Sequence, residues 1–205
     1  MGTRAFLVSE VDATMSCKWP QISAAKDGRQ IQIRPIAYGD SPALHRGLHL
    51  LAQEGTHIGV EPEGVGDLPA MIEQVRRYLM QPRATQLVAE LEGEVVGAVA
   101  LNPGPFGRKD RHWCRIGLWM IPEARGIGIG TALVESALRW AVAEGFEKMV
   151  AEVFATNGSS LSLLRKFGFV TEGRQKGLFV LPGIGYVDNI LLALDLRGED
   201  GERER

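Results

Sequence analysis

Residues 125–131 read Arg-Gly-Ile-Gly-Ile-Gly-Thr, so three glycines fall within five residues. An apolar run at 116–121 precedes this stretch and is closed by Pro122, and apolar residues with helical spacing follow it from Leu133 to Ala141. We therefore predict a strand, a glycine-rich turn and the start of a helix. The first N–H groups of a helix lack partners within it and carry partial positive charge, so such a turn is suited to a phosphate.

Two common nucleotide-binding motifs do not match this turn. A Walker loop requires Gly-Lys before Ser or Thr, whereas Thr131 follows Gly130 directly. The dinucleotide fingerprint GxGxxG requires a further glycine at position 131 or 133, and those positions hold Thr131 and Leu133. The turn does match Arg-x-x-Gly-x-Gly, although a short motif of this kind also occurs by chance as a turn without a ligand.

The composition is that of an ordinary globular protein. With 205 residues, the chain is long enough for one domain with a full core and needs no metal or disulfide. Its net charge of −2 favours neither a nucleic acid nor an anionic membrane as a partner, and no run approaches the ~18 to 20 apolar residues of a membrane span. Cys17 and Cys114 form no metal-ligand pattern, and two unpatterned cysteines suit a reducing compartment. We expect a cytoplasmic protein without a bound metal.

Periodicity along the chain predicts an α/β (α+β) fold. We expect a central mixed, mostly antiparallel sheet of about seven strands, flanked by about four helices. The clearest element is a hairpin formed by 85–92 and 94–101, and Asn157 opens a short helix that ends at Gly168. The domain organisation predicted from composition is an extension at 1–29, one domain at 30–196 and a charged tail at 197–205.

Several features, in the right order, resemble the GCN5-related N-acetyltransferases (GNAT family). The glycine turn is similar to their Arg/Gln-x-x-Gly-x-Gly/Ala loop, and Leu118 to Pro122 resembles their fourth strand with its closing proline. The segment 157–169 resembles their motif Asn-x-x-Ala/Ser-x-x-Leu-Tyr-x-Lys-x-Gly-Phe, and Gly185 to Asp188 resembles the final strands of the small-amine and amino-acid branch. The resemblance covers roughly residues 30 to 195.

This resemblance implies a binding site for acetyl-coenzyme A. In the family the fourth and fifth strands splay apart, and the pantetheine arm lies in the gap. Backbone groups around Met120 would then face the pantetheine and the thioester oxygen, the backbone of 126–131 would bind the pyrophosphate, and Arg125 would add charge. Asn157 would hydrogen-bond the cofactor, or simply cap its helix. The implied cofactor-binding residues are Leu118, Trp119, Met120, Arg125, Gly126, Ile127, Gly128, Ile129, Gly130, Thr131 and Asn157.

The sequence departs from the family pattern at the groups that move protons. Leu164 stands where the family usually has its acidic tyrosine, and Arg115 and Ile116 stand where a carboxylate base is frequent. Glu152 is one candidate substitute, because burial beside the cofactor gap would raise its pKa, and Tyr186 before the last strand is another. Each has an ordinary alternative: a solvated or salt-bridged carboxylate for Glu152, and an aromatic side chain packed with one polar tip for Tyr186.

The function implied by the resemblance is transfer of an acetyl group from acetyl-coenzyme A to a primary amine by direct attack in a ternary complex. The expected acceptor is a small molecule such as an amino acid, a polyamine or an aminated antibiotic. A protein N-terminus or lysine as acceptor, a longer acyl donor, and a regulatory module that binds coenzyme A without turnover are the alternatives. A homodimer is a further expectation from the family.

Overall fold

The computed structural model describes residues 18–55 and 59–197, which form eight strands and four helices. The strands form one sheet in the order β1-β2-β3-β4-β5-β6-β8-β7, which confirms the predicted α/β class. The elements are β1 (Gln21–Ala24), β2 (Gln30–Pro35), α1 (Ser41–Glu54), α2 (Leu68–Met80), β3 (Thr85–Leu91), β4 (Glu94–Pro103), β5 (Trp113–Met120), α3 (Ile129–Ala143), β6 (Lys148–Phe154), α4 (Gly158–Lys166), β7 (Val170–Leu181) and β8 (Gly185–Asp195).

Strand β1 was not predicted from the sequence. It pairs antiparallel with β2 from Gln21 opposite Ile33 to Ala24 opposite Gln30, so the sheet has eight strands instead of about seven. The four residues of β1 are half-buried or exposed, and a short exposed edge strand carries no apolar alternation that could reveal it. Residues 1–17 of the predicted extension and residues 198–205 of the predicted tail lie outside the described residues.

The described chain divides into two compact units. The first unit comprises residues 18–102 and 117–137, and the second comprises residues 103–116 and 138–197. In the first unit, β1 to β4 are antiparallel neighbours, and α1 and α2 pack on them. The apolar cluster that joins these helices to the strands consists of Ile36, Leu44, Met71, Val75, Val88 and Ala98.

The hairpin of β3 and β4 confirms the strongest prediction from the pattern. Its turn residues Glu92 and Gly93 have φ angles of +53° and +86°, as in the tight turns whose twist matches the flanking strands. The pairing shifts register between Ala89 and Glu90, so β4 carries a bulge at this point.

In the second unit, the parallel pairing of β5 with β6 is short. It runs from Trp113 opposite Lys148 to Arg115 opposite Val150, whereas β6 continues to Phe154 and stays paired with β8 over its whole length. Strands β7 and β8 form an antiparallel pair, with irregularities that follow Thr171 and Gln175.

Gly97 of β4 allows a close approach to the end of β5 within the first unit. A Cβ atom at Gly97 would lie 2.7 Å from the carbonyl oxygen of Trp119 and 2.9 Å from Cγ of Met120. The amide of Ile121 donates to the carbonyl of Val96 at 3.0 Å, which ties the chain just after β5 to the same part of β4. Any side chain at position 97 would therefore displace the end of β5.

We expect Gly97→Ala to lower the free energy of unfolding by about 1 to 3 kcal/mol, because its methyl group would overlap backbone atoms that cannot rotate away. Gly117→Ala in β5 is the matched control, since a Cβ there meets nothing within 4 Å and the backbone needs no positive φ. The control should leave stability unchanged or slightly raised. Urea denaturation of both variants checks this, and equal stabilities would contradict the close approach.

Candidate active site

The glycine turn has the predicted arrangement of strand, turn and helix. After β5 the chain makes a short 3-10 turn at Pro122–Ala124, and α3 begins at Ile129. Gly126 and Gly128 have φ angles of +79° and +107°, which disfavour any residue with a side chain. A Cβ at either glycine would meet nothing within 4 Å. The backbone conformation, and not crowding, therefore requires these two glycines.

The turn fits a diphosphate. Helix α3 has 15 residues and no acidic residue in its first turn, so its first N–H groups offer partial positive charge without a competing carboxylate. Its helical hydrogen bonding starts with the amide of Ala132, which donates to the carbonyl of Gly128 at 3.1 Å. The carbonyl of Ile127 accepts from the amide of Lys26 at 2.8 Å, and this bond fixes the middle of the turn from the segment after β1.

Arg125, which we expected to add charge at the pyrophosphate, is held by a carboxylate. Its Nη1 and Nη2 atoms donate to Oε1 and Oε2 of Glu54 at 3.0 and 2.6 Å, and Nη2 also donates to the carbonyl of Met120 at 3.2 Å. Sequence reasoning missed Glu54, because a pair separated by 71 residues leaves no local pattern.

The residues at the end of β5, Leu118, Trp119 and Met120, are all half-buried. The ring of Trp119 lies against α1, where a Cβ at Gly47 would approach it to 2.6 Å, and it packs on the apolar cluster of the first unit. The side chain of Trp119 thus anchors the strand. Only the backbone groups of this residue remain for the cofactor contact that the family resemblance implies.

Asn157 is the N-cap of α4. Its Oδ1 atom accepts from the amide of Ser160 at 3.1 Å and from Oγ of Ser159 at 3.0 Å. The carboxamide oxygen therefore caps the helix, which is one of the two roles that the sequence predicts. A contact between Asn157 and a cofactor would use its Nδ2 group, so the two interpretations are compatible.

Glu152 lies on β6 and is not buried, so the burial expected from the sequence is wrong. Its side chain is 41% exposed, and its Oε1 atom pairs with Nη2 of Arg115 at 3.2 Å. Its Oε2 atom accepts from Nδ2 of Asn189 at 3.1 Å, and the same Nδ2 donates to Oε1 of Gln175 at 2.8 Å. The salt-bridged alternative describes this carboxylate, which is held from two sides.

Asn189 was missed by the sequence reasoning, although a signal for it exists. Only 1% of Asn189 is exposed, and it stands at the start of the apolar run 190–194 of the last strand. A buried amide in such a run needs hydrogen-bond partners, and here they are side chains of the neighbouring strands.

Tyr186 lies within β8 opposite Val180 and is 82% exposed, so it is neither packed nor enclosed by the described residues of its own unit. The nearby Asp188 is more strongly held. The amide of Gly177 donates to Asp188 at 2.7 Å, and this hydrogen bond, together with the guanidinium of Arg174, holds the pKa of Asp188 below its ordinary value.

Within residues 18–55 and 59–197, no group of three or more His, Cys, Asp or Glu side chains has the arrangement of a metal site. Over the same residues, no helix combines the length and apolar character needed to cross a membrane.

A sequence model of the Acetyltransferase (GNAT) family matches residues 50–169, which is more than half of the chain. The chain belongs to this family.

Individual relatives agree with this assignment. N-acetyltransferase 8F1 of Mus musculus is 32% identical over 107 residues, which cover 51% of this chain and 47% of that protein. Aminoglycoside N(6')-acetyltransferase type 1 of Klebsiella aerogenes is 30% identical over 105 residues, which cover 50% of this chain and 68% of that protein. The crystal structure of ribosomal-protein-alanine N-acetyltransferase from Brucella melitensis matches with a TM-score of 0.71 and 26% identity, over 80% of this chain and 98% of that one. This chain thus spans about half the length of the mouse relative.

The family's usual tyrosine is replaced in this member by an apolar residue that the structure buries. Leu164 lies on α4 with 1% exposure and packs as a core residue of the second unit. The side chain at this position therefore has no hydroxyl.

We expect Asn157→Ala to lower the free energy of unfolding by about 1 kcal/mol, because the amide of Ser160 would lose its cap. Asn157→Asp keeps an accepting oxygen and should keep most of the stability, while it removes the Nδ2 donor. Thermal unfolding of both variants measures the cap, and an Ala variant as stable as the parent would contradict it.

Proposed function

We propose that this GNAT-family chain is an N-acetyltransferase that uses acetyl-coenzyme A as its cosubstrate and acetylates a primary amine of a small molecule. The observation that carries the proposal is the glycine turn, in which two positive-φ glycines lead from the end of β5 into the N-terminus of α3. Family membership and the identical order of these features in the family pattern support it.

The reaction is a direct transfer. The amine nitrogen attacks the carbonyl carbon of the thioester, the carbon–sulfur bond breaks, and the thiolate of coenzyme A leaves. The carbonyl oxygen gains negative charge during the attack, so a fixed backbone N–H at the end of β5 stabilises the transition state more than the ground state. The proposed cofactor contacts in the first unit are the backbone of 118–120 and 126–131. For Asn157 of the second unit, the family resemblance alone implies a contact, which would use its Nδ2 group.

The acceptor class is proposed from two features. The Gly185 to Asp188 segment is similar to the final strands of the small-amine branch, and the relative from Klebsiella aerogenes is an aminoglycoside acetyltransferase by name. The Brucella melitensis structure is named for a ribosomal protein, so a protein amine is the competing acceptor. Cytoplasmic location and a homodimer remain predictions.

We propose that Glu152 binds the acceptor amine and takes up its proton. Its carboxylate is solvent-accessible and is kept in place by Arg115 and Asn189, so it offers a fixed negative charge to an ammonium group and an oxygen that can take up the proton. A thiolate can take its own proton from water, which removes the need for a hydroxyl at position 164.

The glycine turn is tested by Thr131→Glu with Thr131→Gln as its control. Residue 131 lies in the first turn of α3, where a carboxylate stabilises the helix but repels a diphosphate. We expect the Glu variant to be at least as stable as the parent and to bind acetyl-coenzyme A about tenfold more weakly or worse, a loss of roughly 1.4 kcal/mol. The Gln variant has the same size without the charge and should bind nearly normally. Titration calorimetry measures both, and equal affinities would remove the turn from the cofactor site.

Thiol release from acetyl-coenzyme A with a panel of amines and peptides tests the activity itself. With the correct small amine, we expect Glu152→Gln to lower kcat/KM by about 10²-fold or more, while acetyl-coenzyme A binding stays unchanged. Tyr186→Phe tests the other candidate in the same assay, and a comparable loss would assign the proton for the leaving thiolate to Tyr186. Release only with peptides would reassign the acceptor, and cofactor binding without release for any amine would favour the regulatory module.

A further inference from the structure

We propose that Glu54 is a positioning residue of the cofactor site, which withholds the Arg125 guanidinium from the diphosphate and uses it to fix the carbonyl of Met120 at the end of β5. This inference rests on the proposed function, because it concerns the same turn. It assigns to Glu54 a role that the family motif does not contain, and it changes the role of Arg125 from a phosphate ligand to a structural link.

The contact has the geometry of a strong ion pair. Nη1 of Arg125 donates to Oε1 of Glu54 at 3.0 Å and Nη2 donates to Oε2 at 2.6 Å, so the pair is bidentate. The side chains of Arg125 and Glu54 are only 35% and 28% exposed, so solvent screens this pair less than a fully exposed one. The third bond, from Nη2 to the Met120 carbonyl at 3.2 Å, connects the pair to the strand.

Glu54 is well placed to hold this link, because it is the last residue of α1. Gly55 ends the helix with a φ of +66°, and its amide donates to the carbonyls of Leu51 and Ala52. A cation such as Arg125 is favoured beside the C-terminal end of a helix, where partial negative charge collects. The same partial negative charge disfavours the carboxylate of Glu54 unless a cation is paired with it, so the end of the helix favours the pairing with Arg125.

Helix α1 contacts the end of β5 at two levels. Two helical turns before Glu54, Gly47 leaves room for the ring of Trp119. Glu54 then reaches Met120 through Arg125. The ring contact and the ion pair together set the position of two consecutive residues of the strand.

A direct bond between Arg125 and a diphosphate would be costly. It would break a bidentate pair of half-buried side chains and bring an anionic ligand close to the carboxylate of Glu54. With two N–H groups engaged by Glu54 and a third by the Met120 carbonyl, Arg125 acts on the cofactor site through the position of the Met120 backbone. That backbone serves the thioester end of the donor and not the phosphate end.

The test compares acetyl-coenzyme A with S-acetylpantetheine, a donor that has the thioester but no diphosphate. We expect Glu54→Gln, Arg125→Gln and Arg125→Lys each to lower kcat/KM by about tenfold, and by similar factors with both donors. Lysine keeps the charge but cannot make the bidentate pair and the carbonyl contact together. The double variant with both Gln substitutions should have the same kcat/KM as the less active of the two single variants. The two substitutions break the same link, so their effects do not add.

The matched control is Glu73→Gln on α2, an exposed carboxylate paired with Arg76, which should leave both donors unaffected. The proposal is overturned if Arg125→Gln weakens only acetyl-coenzyme A while Arg125→Lys restores it, since that is the behaviour of a phosphate ligand. It is equally overturned if Glu54→Gln changes neither donor.

A second readout separates this inference from the proposed activity. Hydrogen exchange of the backbone amides at 118–121 in the ligand-free protein should become faster in the Glu54→Gln and Arg125→Gln variants, and remain unchanged in Glu73→Gln. If the parent protein binds acetyl-coenzyme A but releases no thiol, the enzyme proposal fails and this exchange still tests the link. Unchanged exchange at 118–121 in both variants would overturn the inference even in an active enzyme.

Discussion

The end of β5 lies very close to two neighbouring elements, and neither has room for a side chain at the point of contact. Gly97 of β4 meets the backbone of Trp119 and Met120, and Gly47 of α1 meets the ring of Trp119. Strand and helix thereby fix the point at which the chain enters the glycine turn. The turn and the first N–H groups of α3 take their direction from this point, so the candidate site depends on close packing as much as on its own motif.

The sequence predicted correctly the elements that depend on residues close together in the chain. The β3–β4 hairpin, the glycine turn and α4 with its Asn157 cap each depend on residues within a few positions of one another, and each is present as predicted. The fold class followed because the order of such elements leaves few sheet arrangements open. Family resemblance added which of these elements would face a cofactor.

The remaining features depend on residues far apart in the sequence. The partner of Arg125 is 71 residues away, and Glu152 meets Asn189 across 37 residues, so neither contact has a local signal. The pairing of Arg125 with Glu54 decides whether this motif residue acts as a charge or as a support. The strand β1 escaped prediction for a different reason, since exposed edge strands lack the alternation by which strands are recognised.

The hydrogen bond from Lys26 to Ile127 has a consequence for where the folded unit begins. The family match starts at residue 50, yet the carbonyl in the middle of the glycine turn is held by an amide 101 residues earlier in the chain. Residues 21–24, which pair with β2, bring that amide into place. A shortened protein limited to the recognisable family segment would keep the motif and lose one of the bonds that shape it. A segment that retains this bond therefore begins before residue 26, well ahead of the segment by which the family is recognised.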